Sequence, residues 1–414
     1  MTNVAAMNNS AKTRILFVDD EPLILEMLQL TVASMKGEWE TRYAESGKQA
    51  LALMERETFD LVISDMRMPG MSGAQLLNEV MKRYPGTSRM ILSGYADKEE
   101  VIRCAGAIHQ FLPKPCELTT VEAALRRIRG LRERLRSEEI QRVVTKKDSL
   151  PSVPAVYFQL VEALQDSECP VERVGDIMAT DPGLTAKVLQ LVNSAFFGFS
   201  RQVSSASEAV LLLGMGTIRS LALTAHLFTV FEAVQIEGWS VEQVWRHSVR
   251  VGRWARKIAE LEGKDEAVAE QSFTAGVLHD IGKLILLDNL SVAYLDLITR
   301  ARKERRLLSD IEQETLGATH AEVGAYLLDL WGLPAPLVEA AALHHEPGRA
   351  SELGFSPLTA VHVANVLEET LSGVDPSGAP HRLDSLYLDQ LSLGSRVGVW
   401  RERLGEETAQ GGAA

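Results

Sequence analysis

Cysteine is scarce in this chain: Cys104, Cys116 and Cys169 stand far apart in 414 residues and show no CxxC spacing. That excludes a disulfide framework and a thiolate zinc site as organising devices. No apolar run reaches the roughly 18 residues of a membrane span. The opening MTNVAAMNNSAK lacks the basic start and apolar stretch of a secretory signal. A cytoplasmic location without a membrane partner is the expectation. Positive charge is also in deficit. A formal net charge of −13 repels phosphate backbones, and no recognition-helix motif offsets it, which disfavours nucleic acid as a partner.

The chain is too long for one ordinary core, so two or more domains are expected. A hydrophobic fraction of 46% with 24% charged residues is that of a soluble globular protein. Residues 1–12 read as a flexible N-terminus. From there β-rich runs alternate with helical patterns. RILFV (14–18), WETRYA (39–44), LVIS (61–64), MILS (90–93) and QFL (110–112) read as strands. LILEMLQLTVASM (23–35), GKQALALMERE (47–57) and GAQLLNEVMKRY (73–84) read as helices between them. That alternation predicts an α/β domain over 13–130, a doubly wound parallel five-stranded sheet with its ligand site at the carboxyl ends of the strands.

Residues 131–149 continue a strongly charged helical segment that reads as a solvated linker, and its incomplete heptad would allow a homodimer. After LPSVPAVY the pattern is helical almost throughout, so 150–372 is expected to be an all-α domain. Within it Asp181 is a candidate N-cap, with Pro182 at the first helical position. LGMG (213–216) reads as a tight helix–helix turn rather than a nucleotide loop, because no strand precedes it and no P-loop lysine follows. Trp239, Trp245, Trp254 and Trp331 read as helix-packing residues. Residues 373–414 form an extension, partly helical with a disordered end.

Four segments of the first domain carry chemistry: FVDD (17–20), SDMRMPG (64–70), ILSGYAD (91–97) and FLPKP (111–115). A doubly wound sheet brings them to one edge, crowding Asp19, Asp20 and Asp65 together. Unpaired, those charges are costly; with Mg²⁺ held by carboxylates, a backbone carbonyl and waters they make a working site. A carboxylate can attack phosphorus, Mg²⁺ draws charge from phosphoryl oxygens, and Lys114 supplies a second cation.

With these positions filled, the first domain resembles a two-component receiver domain. The resemblance implies that Asp65 is phosphorylated by a sensor histidine kinase and that Asp19 and Asp20 hold Mg²⁺. It implies further that the backbone carbonyl of Arg67 joins Asp19, Asp20 and Asp65 around the metal. Ser93 would swing to the phosphoryl group and Phe111 would follow it inward. The output would be a population shift between two states, passed to the second domain.

Histidines accumulate late in the chain, in VWRHS (244–248), LHDIG (278–282), THAEVG (319–324) and LHHEP (343–347). His279 and Asp280 stand side by side on what reads as one buried helix. His247, His279, Asp280, His320, His344 and His345 together form a donor set suited to Fe, Mn or Zn. The corresponding enzyme would attack a phosphodiester with a metal-bound hydroxide.

This half resembles the HDOD family, a relative of the HD phosphohydrolases that usually serves as a signalling output. The resemblance rests on LPSVPAVY, ATDPGLTAKVLQLVNSAFFG, AVLLLGMGTIRSLAL, VWRHSV, AGVLHDIGKLIL, THAEVGAYLLDLWGLP and AALHHEP. It implies a response regulator whose output acts through a downstream signalling protein or ligand. Compared with the related HD-GYP phosphodiesterases, Gln243 stands where some relatives have a metal-binding glutamate. Asn365 replaces the final metal-binding aspartate, and the GYP segment after His345 is missing. Losing two anionic ligands weakens a divalent-cation site and argues against a cyclic-dinucleotide or nucleotide phosphohydrolase.

Overall fold

The computed structural model describes residues 13–34, 39–93, 107–114, 121, 125, 150–152, 159, 160, 163, 164, 166, 169–193, 201–215, 218, 228–230, 235, 236, 239–372 and 382–411. The charged segment 131–149, the first 12 residues and the end of the C-terminal extension lie outside them. So do the side chains of Ser93, Phe111, Trp239 and Trp245. The chain divides into two compact units, Met1–Gly130 and Leu131–Ala414.

In the first unit β1 (Thr13–Val18), β2 (Trp39–Ala44), β3 (Leu61–Asp65), β4 (Ser88–Ser93) and β5 (Gln110–Pro113) form a parallel sheet in the order β2-β1-β3-β4-β5. The central strands are continuous hydrophobic runs because helices cover both faces of such a sheet. Ile15, Leu16, Phe17, Val62, Met90 and Ile91 are completely buried. Helices α1 (Pro22–Ser34), α2 (Gly47–Met54) and α3 (Gly73–Arg83) fill the crossovers. A capping box starts α3: Ser72 accepts from the Gln75 N–H, and the Gln75 side chain accepts from the Ser72 N–H. Gly73 lets this helix start against the site strand, since a Cβ there would lie 1.9 Å from the Asp65 carbonyl oxygen.

The second unit is mainly helical: α4 (Val171–Ala179), α5 (Pro182–Val192), α6 (Ala206–Leu213), α7 (Val241–Leu261), α8 (Glu266–Leu278), α9 (Ile281–Leu290), α10 (Val292–Glu304), α11 (Leu308–Leu316), α12 (His320–Leu330), α13 (Ala335–Leu343), α14 (Pro357–Ser372), α15 (Ser385–Gln390) and α16 (Val397–Gly411). The helical expectation omitted four short strands. β6 (Leu150–Ser152) pairs in parallel with β7 (Phe228–Val230), and β8 (Gln235–Ile236) pairs antiparallel with β9 (Trp239–Ser240). Runs of two or three residues are too short for an alternation to show in sequence.

Asp181 caps α5, its Oδ1 accepting from the Leu184 N–H at 2.9 Å. The residue is completely buried, so Asp181→Ala is expected to cost about 1–2 kcal/mol. Urea unfolding of the two proteins side by side checks this. Gly214 ends α6 with a φ of +76°, consistent with a turn after that helix. Trp254 and Trp331 are buried among the helices. The C-terminal segment packs into the same unit: Trp400 and Leu404 are buried, and the Trp400 indole and Arg396 both donate to Glu262, just after α7.

Candidate functional site

At the carboxyl edge of the sheet, Asp19 follows β1, Asp65 closes β3 and Lys114 follows β5. Strand order and register bring these three together from positions up to 95 residues apart. Lys114 Nζ lies 2.8 Å from Asp19 Oδ2 and 2.5 Å from Asp65 Oδ1. The remaining carboxylate oxygens are oriented by the backbone: the Glu21 N–H donates to Asp19 Oδ1 at 3.0 Å and the Arg67 N–H to Asp65 Oδ2 at 2.9 Å. Asp20 is partly exposed, and the ion pairs of Lys114 run to Asp19 and Asp65.

Burial is the main influence on Asp65 and raises its pKa, with the negative charge of Asp19 adding to the rise and Lys114 opposing it. For Lys114 burial works downward, but its two carboxylate partners outweigh it and hold the ammonium charged. The result is a buried carboxylate beside a fixed cation. The all-oxygen donors at this edge fit a hard divalent cation such as Mg²⁺.

The second constellation also assembles. His279 is the C-cap of α8 and Asp280 the N-cap of α9, so the pair occupies a break between two helices rather than one continuous helix. Neighbours on a single helix diverge by about 100°. The break, with Asp280 at φ −100° and ψ 12°, brings both side chains inward. His247 comes from within α7, His320 begins α12 under a Thr319–Glu322 capping box, and His344 ends α13 with His345 following.

The Asp280 carboxylate lies among them. Its Oδ2 is 3.4 Å from His279 Nε2 and 3.8 Å from His247 Nε2; its Oδ1 is 3.4 Å from His320 Nε2 and 3.8 Å from His344 Nε2. Each of these four rings donates through Nδ1 to a protein acceptor: Glu368, Gly276 O, Glu312 and Ala341 O for His247, His279, His320 and His344. For His279 and His344 those bonds fix the tautomer and leave the Nε2 lone pair on the side of Asp280, while His320 Nε2 also lies 3.0 Å from His345 Nε2. His279 Nε2 and His344 Nε2 are buried without a hydrogen-bond partner among the described residues. Orphaned buried acceptors of this kind are what a bound cation would satisfy.

Two groups of donors meet ligand spacing, His247 with His279 and Asp280, and His320 with His344 and His345. Burial drives the His279 pKa down to about 4, against the pull of Asp280, and drives His344 well below its usual range. Both are neutral at physiological pH, the form a metal requires. His247 and His320 go the other way: burial lowers them, but Glu368 and Glu312 outweigh it. Lys283 Nζ pairs with Asp280 Oδ2 at 2.7 Å in the same buried region.

Gln243 sits on α7 one turn before His247. Asn365 is buried on α14, and its Oδ1 has no hydrogen-bond partner among the described residues. Sequence reasoning missed Glu312, Glu368 and Lys283, which read as ordinary charged positions on helices. No described helix is long and apolar enough to cross a membrane.

Comparison with known proteins separates the same two parts. Residues 15–126 match the response regulator receiver domain, and residues 150–347 match the HDOD domain. An uncharacterized protein of Treponema pallidum is 26% identical over 250 residues, covering 58% of this chain and 48% of that protein. Response regulator protein PilR of Pseudomonas aeruginosa is 37% identical over 133 residues, covering 32% of this chain and 28% of PilR. The chain thus spans about half the length or less of these relatives. Among solved structures, the MmoQ response regulator of Methylococcus capsulatus is 21% identical with a TM-score of 0.47, covering 60% of this chain and 97% of that one. The chain belongs to the response regulators, with an N-terminal receiver domain followed by an HDOD domain.

Proposed function

We propose that Asp65 accepts a phosphoryl group from a sensor histidine kinase and that the HDOD unit passes the signal on by binding a protein or ligand. The observation that carries this reading is Lys114 Nζ held between Asp19 Oδ2 and Asp65 Oδ1 at the carboxyl edge of the sheet. Response regulator receivers interact with histidine kinases and generally bind Mg²⁺. Asp19, Asp20, Asp65 and the Arg67 carbonyl would hold that ion, which would draw charge from the transferring phosphoryl oxygens.

An Asp65 carboxylate oxygen attacks phosphorus, and the bond from phosphorus to the donor's nitrogen breaks. Lys114 is positioned to compensate the charge on the new acyl phosphate. Ser93 and Phe111 are the switch residues that respond to it. Lys114→Ala is therefore expected to slow phosphoryl uptake from acetyl phosphate by about 10²-fold, measured by the gain of one phosphoryl group in the intact mass. Uptake at the wild-type rate would remove Lys114 from the chemistry.

In the second unit the inward Nε2 atoms and Asp280 support a bound transition metal, with Fe, Mn and Zn compatible with imidazole and carboxylate donors. Metal content of the purified protein tests this. A stoichiometric metal that falls sharply in His279→Ala is expected; metal content unchanged by that substitution would refute the assignment. Gln243 and Asn365 leave the centre short of two anionic ligands, so binding without turnover of cyclic dinucleotides is the expected outcome. Turnover abolished by His279→Ala would instead make the unit a phosphohydrolase.

A further inference from the structure

Two buried glutamates stand behind the histidine cluster, and neither belongs to a recognisable metal motif. Glu312, on α11, is completely buried; its Oε2 accepts from His320 Nδ1 at 2.7 Å and from the His320 backbone N–H at 2.8 Å. Its Oε1 accepts from the Tyr294 hydroxyl at 2.6 Å. Glu368, on α14, accepts from His247 Nδ1 at 2.7 Å through Oε2 and from Arg250 at 2.8 Å through Oε1. His279 and His344 donate instead to backbone carbonyls. Each three-residue donor group thus contains one histidine backed by a carboxylate.

Resting on the metal reading above, we propose that Glu312 and Glu368 are positioning residues that supply, from behind His320 and His247, the negative charge that Gln243 and Asn365 do not provide. A carboxylate on Nδ1 makes the opposite nitrogen a stronger donor and holds the ring in place. Buried in a low-dielectric region, it also offsets the charge of a cation bound at Nε2.

The two glutamates are not equivalent. Arg250 pairs with Glu368 and cancels much of its charge, whereas the hydrogen bonds of Glu312 come from a phenol, a backbone N–H and an imidazole. Lys283 feels the charge of Glu312, but its ammonium is hydrogen-bonded to Asp280. Glu312 is therefore the larger contributor, and it serves the all-imidazole group of His320, His344 and His345, which Asp280 Oδ1 approaches only to 3.4 Å at His320 and 3.8 Å at His344.

The test is equilibrium titration of chelator-stripped, full-length protein with Mn²⁺ and with Zn²⁺, following bound metal and the metal-dependent rise in melting temperature. Glu312→Gln keeps the shape of the side chain and is expected to lose about 10–100-fold in affinity, with Glu368→Gln losing less. Arg250→Ala, which frees the charge of Glu368, is expected to tighten binding, a direction that loss of structure does not produce. If Glu312→Gln proves unfolded, the opposite responses of Glu368→Gln and Arg250→Ala still decide the matter. Wild-type affinity in both glutamine variants, with wild-type protein binding metal, would overturn the positioning role alone. Wild-type protein that binds neither metal would overturn the metal reading itself.

Discussion

Asp65→Asn is expected to reduce phosphoryl uptake to background while leaving the receiver folded. Asparagine keeps the volume of the side chain and an oxygen to accept from the Arg67 N–H, but it has no carboxylate to attack phosphorus. Asp19 is a poor substitute because its side chain is only 1% exposed, against 10% for Asp65.

The sign of the stability effect also follows. Burial raises the Asp65 pKa, so the folded chain binds that proton more tightly than the unfolded chain does. Stability attributable to this group is present at low pH and is lost as pH rises through the raised pKa. At neutral pH the charged form carries a cost that asparagine removes. The melting temperature of Asp65→Asn is therefore expected to equal or exceed that of the wild type. A variant with no uptake and a strongly lowered melting temperature would show that Asp65 has a structural role instead. Thermal unfolding and labelling with acetyl phosphate on the same preparation separate the two outcomes.

Gly282→Ala is expected to be the most damaging small substitution in the helical unit. A Cβ at residue 282 would lie 1.8 Å from the His320 carbonyl oxygen, 2.7 Å from its carbon and 2.8 Å from the Gly324 nitrogen. All three are backbone atoms, so no side-chain rotation relieves the clash. Helices α9 and α12 would have to separate, carrying His320 away from Asp280. Overpacking of this kind costs about 3 kcal/mol or more, and the donor atoms of the cluster would disperse with it. The helical unit contains buried Trp254, Trp331 and Trp400, whose fluorescence during urea unfolding reports the loss, alongside metal content. Wild-type stability with full metal loading would contradict this packing account.

The receiver sheet was legible because its central strands are buried hydrophobic runs that alternate with helices. Once strand order is given, Asp19, Asp65 and Lys114 must meet at the carboxyl edge. The helical unit was less transparent. His247, His279, Asp280, His320, His344 and His345 stand in recurrent settings, but their supports do not. Glu312 in IEQETLG and Glu368 in NVLEETL look like solvated helix residues, since a charged residue on a helix is usually exposed.

Only the tertiary contacts reveal that Glu312 faces Tyr294 and His320, and that Glu368 joins His247 to Arg250. A partial signal was available: Glu368 lies three residues after Asn365 on the same helix, the spacing of one face. The helix break at His279–Asp280 was hidden for another reason. GVLHDIGKL contains no proline, and its two glycines, Gly276 and Gly282, are spent on close backbone contact with α7 and α12 rather than on a turn.

Both halves thus centre on a carboxylate paired with a lysine, Asp65 with Lys114 and Asp280 with Lys283, the latter also surrounded by four imidazoles. They differ in access to chemistry. Asp65 stands at a strand end beside a cation suited to phosphoryl oxygens, whereas Asp280 is completely enclosed by groups suited to gripping a metal.

The most direct test is to label the wild-type protein with acetyl phosphate and Mg²⁺, reduce the acyl phosphate with borohydride, and locate the modified residue by peptide mass spectrometry. The modification is expected at Asp65 alone. Modification at another carboxylate, or none under conditions that label a control receiver, would contradict the assignment.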